Sequence, residues 1–277
     1  MSYLIKRVKR KVQALRYERI CSRQSDPLAA HPGMIVTTFY DVEGDYAMPG
    51  KSAASIETVG KILEIEKRYG IRSTYNVVAR YALDAPDLMA EIRSAGNEIA
   101  SHSYDHTILT HLKAAEITDH LRRTKMTFRQ LGLDIVGHRS PQSTWDDRVL
   151  RSLMAEGYTW SAENGAEPYP YRIREIGGAV LWRFPVTDDD WCYEGEHLRP
   201  NAVLQRWQLR IREARGRRKF TAIGFHPWVE ASPDRLAVLE EFFRWLTEQD
   251  GLQLLPFGDV VRMISQQERS VGAADDK

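Results

Sequence analysis

Apolar positions along the chain switch repeatedly between a period near two and a period near 3.6, the signatures of strand and helix. Met34–Phe39 is a continuous apolar and β-branched run that predicts a buried strand. Ile56, Val59, Ile62, Leu63 and Ile65 then recur at helical spacing, and Gly70 ends them. Further strands are predicted at Thr74–Val78, Glu98–Ala100, Ile135–Gly137, Tyr158–Trp160, Leu181–Phe184, Phe220–Phe225 and Leu252–Leu255. Between them the helical period predicts Pro86–Ala95, Ala114–Leu131, Asp146–Glu156, Ala202–Ala214, Arg235–Thr247 and Val260–Gln266. Pro168, Pro170 and Gly177-Gly178 mark a looser stretch, either a hairpin or an excursion. Uninterrupted alternation of this kind argues a single parallel α/β domain, closed or doubly wound.

Residues 1–30 follow another pattern. Leu4, Ile5, Val8, Val12, Leu15 and Ile20 recur at helical spacing, with Lys6, Arg7, Lys9, Arg10 and Lys11 between them. The expected organisation is a basic amphipathic helix and linker over 1–30, the α/β domain over 31–267 and a flexible tail over 268–277. Such a helix either lies on an anionic membrane surface through residues 1–23 or packs on the domain with its charges solvated.

Composition narrows the function classes. Lys plus Arg (39) nearly cancels Asp plus Glu (38), which leaves +1 and argues against a nucleic-acid partner. Two cysteines, Cys21 and Cys192, make no disulfide framework and no C-x-x-C zinc site. No apolar run approaches the ~20 residues of a membrane span, and the basic start lacks the apolar core of a secretory signal. The expected location is therefore cytoplasmic. The absence of G-x-G-x-x-G and G-x-x-x-x-G-K-[ST] disfavours a nucleotide-binding sheet.

Polar residues gather where predicted strands end, the rim on which parallel α/β domains carry their sites. Four places stand out: Asp41-Val42-Glu43, His102-Ser-Tyr-Asp-His106, His138-Arg139-Ser140-Pro141 and His226-Pro227-Trp228. Histidines four apart on one helical turn suit two nitrogen ligands of a divalent metal, and a carboxylate from another strand end completes a facial set. Taken alone the H-x-x-x-H spacing is also that of a solvated helix face, and Asp41 and Glu43 also fit loop capping.

Phe39-Tyr40-Asp41-Val42-Glu43 and Gly70-Ile71-Arg72-Ser73-Thr74-Tyr75-Asn76-Val77-Val78 resemble the first two strand motifs of the polysaccharide deacetylases, the NodB-homology or carbohydrate esterase 4 type. Gly96-Asn97-Glu98-Ile99-Ala100-Ser101-His102-Ser103-Tyr104-Asp105-His106 resembles that family's metal motif. His138-Arg139-Ser140-Pro141 is similar to its R-x-P segment, and Gly224-Phe225-His226-Pro227 to its closing strand. The resemblance implies a distorted or incomplete (β/α) barrel. It implies Asp41 as general base, Arg139 as that base's partner, His226 as general acid, and His102 and His106 as metal ligands. The metal implied is zinc, with cobalt, nickel or manganese as alternatives, and the reaction is removal of an acetyl or formyl group from an amino sugar.

The chain departs from the pattern at three points. Val42 stands where the family carries a second aspartate; Asp41-Val42-Glu43 resembles the family's Asp-x-Asp or Asp-x-Glu variant, which implies Glu43 as the third ligand, with Asp45 as the substitute. Thr187-Asp188-Asp189-Asp190-Trp191 lacks the first acid of an Asp-x-x-Asp-Trp loop. His226-Pro227-Trp228 is shared with metal-free, allantoinase-like members. Trp191, Trp228, Asp190 and Pro141 are expected to meet the substrate, while Trp145, Trp160 and Trp182 are read as core. His111, His120 and His197 are read as surface or helix histidines, and His138 as structural. The expected partner is an amino-sugar glycan, lipid-linked or nucleotide-linked, in surface polysaccharide or lipopolysaccharide assembly. A metal-free amidohydrolase and a non-catalytic carbohydrate-binding barrel are the alternatives.

Overall fold

The computed structural model describes residues 12, 15–217 and 219–275. Helix α1 spans residues 15–21. Strand β1 (Met34–Val42) leads to α2 (Ser52–Tyr69) and β2 (Thr74–Val77), and α3 (Ala79–Asp84) and α4 (Pro86–Ser94) carry the chain to β3 (Glu98–Ser101). Helix α5 (Ala114–Gln130), β4 (Gly137–Arg139), α6 (Asp147–Ala155) and β5 (Trp160–Asn164) complete the first half. The looser stretch is a hairpin of β6 (Tyr171–Ile176) antiparallel to β7 (Ala179–Val186). Strand β8 (Asp188–Asp189), α7 (Trp191–Gly195), α8 (Pro200–Ala214), β9 (Phe220–Phe225), α9 (Pro233–Thr247), β10 (Leu252–Leu254) and α10 (Phe257–Asp275) follow.

The sheet runs β6-β7-β5-β4-β3-β2-β1-β9-β8, and every pairing except β6–β7 is parallel. A single stretch of chain closes the circuit. Trp182–Val186 of β7 pairs with β5, and Asp188 and Asp189, two residues on, pair with β9. Thr187 spans the junction, its N–H and hydroxyl both donating to Ala222 O. The acid missing from this position in the sequence pattern is thus replaced by a residue that stitches the barrel shut.

The period of two in β1 sorts its side chains into two cores. Ile35 and Phe39 face the barrel interior with Trp160, Phe184, Phe220 and Phe257, whereas Met34, Val36, Tyr40 and Val42 face the helices. Val42 is therefore a core residue of the helical layer, fully buried. Phe257, at the start of α10, plugs the floor, with ring centroids 4.9 Å from Trp160, 5.0 Å from Phe184 and 5.6 Å from Phe39. Close approach demands glycine twice here. A Cβ on Gly137 would stand 1.9 Å from the Trp160 ring, and one on Gly224 2.4 Å from the Phe39 ring.

Two expectations change. Strands β4 and β5 start two residues later than predicted, which puts His138 and Arg139 inside a strand. The last helix does not stop at Gln266 but continues to Asp275, through the span expected as a flexible tail. No proline interrupts residues 257–275, and Glu268 is pinned by Arg172 of β6 at 2.5 Å. The basic stripe of residues 1–11 lies outside the described residues. Of the predicted apolar face, Val12 and Leu15 are exposed and Ile20 packs against the core, beside Tyr17 and Cys21, which that face did not include.

Candidate active site

Asp41 is the last inward residue of β1, and Glu43, two positions on, shares its face. Asn76 is the cross-strand partner of Asp41 on β2 and donates Nδ2–H to Asp41 Oδ1 at 2.9 Å. Arg139 at the end of β4 donates Nε–H to Asp41 Oδ2 at 2.7 Å. Its other nitrogens donate to Ala162 O and Asn164 Oδ1, both at 3.3 Å, above the face of Phe39. Burial by itself would raise the Asp41 pKa, but the charge of Arg139, aided by the nearby imidazoles, outweighs it and holds the carboxyl below its usual range.

His226 follows β9 directly, and Asp190 takes two of its hydrogen bonds. Oδ2 accepts the His226 backbone N–H at 2.5 Å, and Oδ1 lies 2.6 Å from Nδ1. This fixes Nε2 toward the barrel centre, 3.8 Å from Asp41 Oδ2. Burial lowers the His226 pKa, yet the carboxylates of Asp190, Glu43 and Asp41 overcome it and raise it to about 10.

The third group is Glu43, His102 and His106, whose donor atoms all lie within 4.8 Å of one another. The backbone carbonyl of Arg139 stands 3.0 Å from His102 Nδ1 and accepts its proton, which turns Nε2 toward Glu43 Oε1, 3.3 Å away. His106 Nε2 is 3.0 Å from the same oxygen. Desolvation of Glu43 is overcome by these two imidazoles, and its pKa falls well below the usual value. Two imidazole nitrogens and one carboxylate oxygen at these spacings fit a divalent cation with positions left for small ligands. Asp45 lies outside the cluster and accepts the Lys51 N–H at 2.5 Å, as a loop cap.

The two histidines do not share a helical face. A turn brings them together, with left-handed backbone at Ser103 (φ 69°) and His106 (φ 63°). His120, expected as an ordinary helix histidine, supports that turn, since Nε2 accepts the Tyr104 N–H at 2.9 Å. Glu163 has a similar part on the next loop. It accepts the Ser140 N–H at 3.0 Å and the Ser143 hydroxyl at 2.8 Å, holding Gln142 (φ 54°) and Ser143 (φ 47°) in left-handed backbone.

The four residues expected at the substrate divide. Trp191 is 48% exposed and stands 6.4 Å from His226 by ring centroids, open to a ligand. Trp228 is half-buried, with its indole nitrogen on Glu43 Oε2 at 3.0 Å. Asp190 and Pro141 are buried, so neither offers a face to a substrate; Asp190 belongs with His226 instead. Asn76 and Glu163 carry no assignment in the sequence, and His120 reads there as a surface or helix histidine. A polar residue amid the apolar run of β2 was the available signal for Asn76; the other two sit where only the fold places them.

Residues 30–161 match the family model of the polysaccharide deacetylases. Over 147 residues the chain is 25% identical to the peptidoglycan-N-acetylglucosamine deacetylase PgdA of Listeria monocytogenes, covering 53% of this chain and 29% of that protein. The chain thus spans about three-tenths of that curated relative. By fold it is similar to a Mycobacterium smegmatis protein described as a polysaccharide deacetylase (TM-score 0.78, 20% identity, 86% of this chain and 92% of that one). It is also similar in fold to Puue allantoinase (TM-score 0.73, 18% identity, 86% and 93%).

Proposed function

From a chain that belongs, through residues 30–161, to the polysaccharide deacetylase family, we propose a metal-dependent hydrolase that removes an N-acyl group from an amino-sugar glycan. The carrying observation is that a carboxylate held ionised and an imidazole held protonated face each other at 3.8 Å beside the Glu43–His102–His106 cluster. Those three residues would hold the cation, taken here as zinc. Once bound, it supplies Lewis-acid polarisation of the acyl oxygen and a lowered water pKa. Asp41, kept charged by Arg139 and Asn76, takes the proton of the attacking water. His226, kept protonated by Asp190, gives its Nε2 proton to the departing sugar amine. Trp191 offers an exposed indole for a sugar ring to stack on.

Acetate release from chitooligosaccharide or peptidoglycan fragments, with and without chelator, tests this reading. The expected result is turnover lost to chelator and restored by zinc, together with a His102→Ala chain that is folded, metal-poor and inactive. Activity that survives metal removal would favour the second reading, a metal-free amidohydrolase, which the His226-Pro227-Trp228 run and the allantoinase-like fold support. Formyl in place of acetyl, and a lipid-linked glycan of surface polysaccharide or lipopolysaccharide assembly met at the inner membrane face, belong to the same proposal. The lipid-linked reading rests on the basic residues Lys6, Arg7, Lys9, Arg10 and Lys11. Flotation with anionic vesicles, lost in high salt and on removal of residues 1–23, is the expected outcome.

A further inference from the structure

Glu43 offers two oxygens, and they have different neighbours. Oε1 alone lies between the His106 and His102 imidazoles, at 3.0 and 3.3 Å. Oε2 accepts the indole N–H of Trp228 at 3.0 Å. Glu43 is 5% exposed, so solvent hardly competes for either oxygen. An indole nitrogen donates and never accepts, which makes Trp228 a permanent claim on Oε2. The ring is braced on several sides. Lys51 Nζ lies 5.8 Å from its centroid, Trp191 6.0 Å and His226 5.9 Å. Its backbone lies in a turn closed by the Val229 and Glu230 N–H groups, both donating to His226 O. The ring therefore has little freedom to leave Glu43.

We propose that Trp228 is a positioning residue of the cation site, rather than chiefly a sugar platform. By holding Oε2 it presents Oε1 as a one-oxygen ligand and keeps the carboxylate from closing on the cation with both oxygens. The positions so left open are those that water and the acyl oxygen need. Sugar stacking at this rim then falls to Trp191, whose indole is exposed. The inference rests on the cation-binding reading of Glu43, His102 and His106.

Trp228→Phe keeps a ring and removes the N–H. Zinc affinity, measured on the full chain by competition with a chromophoric chelator, should fall about 10- to 100-fold. The cobalt-loaded variant should show a changed visible spectrum, and KM for a chitooligosaccharide at saturating zinc should stay near the wild-type value. Trp191→Ala should give the opposite split, with zinc affinity kept and KM raised. Wild-type zinc affinity in Trp228→Phe, with a raised KM, would overturn the assignment and make Trp228 a platform. Should the variant fold poorly, a structure of the zinc-loaded wild type decides. Indole nitrogen on Oε2 with Oε1 alone toward the metal supports the proposal, and a two-oxygen Glu43 overturns it. A wild-type chain that binds no divalent cation overturns the cation reading itself, and this inference with it.

Discussion

The floor and the rim of this barrel are built from the same strands and obey opposite rules. On the floor Phe39, Trp160, Phe184, Phe220 and Phe257 interlock ring against ring. Two residues beyond Phe39 on the same face stands Asp41, and around it Arg139, Glu43, His102 and Asp190 are all buried too. Burying a large apolar side chain contributes about 1.5–3 kcal/mol. Burying a charge costs several kcal/mol unless partners replace its water. The rim is tenable because the partners are there: Asp41 has Arg139 and Asn76, Asp190 has two donors on His226, and Glu43 has two imidazoles and an indole. The contrast teaches a division of labour, in which the floor holds the fold and the rim is held for chemistry.

The largest effect should come from breaking the rim at its base. Asp41→Asn should lower kcat by about 10²- to 10⁴-fold with zinc content unchanged, because a base and not a ligand is removed. Near wild-type turnover would remove Asp41 from the mechanism. Breaking the floor should show the mirror image. Phe184→Ala should cost about 3–5 kcal/mol in denaturant unfolding, while KM of the folded fraction stays close to wild type. If the chemistry collapses before stability does, floor and rim are not separable as described.

A smaller effect sharpens the comparison through pH. His226 has its folded pKa raised to about 10 from an ordinary value near 6.5. In the metal-free chain its contribution to stability is therefore complete below about pH 6.5 and is lost as pH rises through about 10. Asp190→Asn should flatten that alkaline decline in thermal melts taken in chelator. A decline that persists unchanged would assign it to other groups.

Much of this was legible in the chain. Strand–helix alternation, Asp41, Arg139, His102, His106 and His226 could all be picked out because each follows an apolar run and sits in a spaced motif. Glu43 followed from the resemblance of Asp41-Val42-Glu43 to the Asp-x-Glu variant of the family, and Val42, a gap in the pattern, proves to be the residue that must face the helices. Less legible were contacts across long stretches of sequence. His120 reaches the Tyr104 amide from a helix face that reads as ordinary, and Glu163 looks like any acid near a strand end. The geometry of the His102–His106 pair was also hidden, since spacing of four suits a helical turn as well as a left-handed one.

Local patterning and spaced motifs, which act over a few residues, determine the class of fold and most of the chemical groups in this protein. Tertiary structure alone decides their states. Asp41 is charged because β4 sets Arg139 against it, and His226 is protonated because the segment closing the barrel brings Asp190 behind it. Glu43 turns one oxygen inward because Trp228, far along the chain, takes the other. Ionisation and orientation depend on distance in space and on exclusion of water, and neither is carried by the order of residues until the chain has folded.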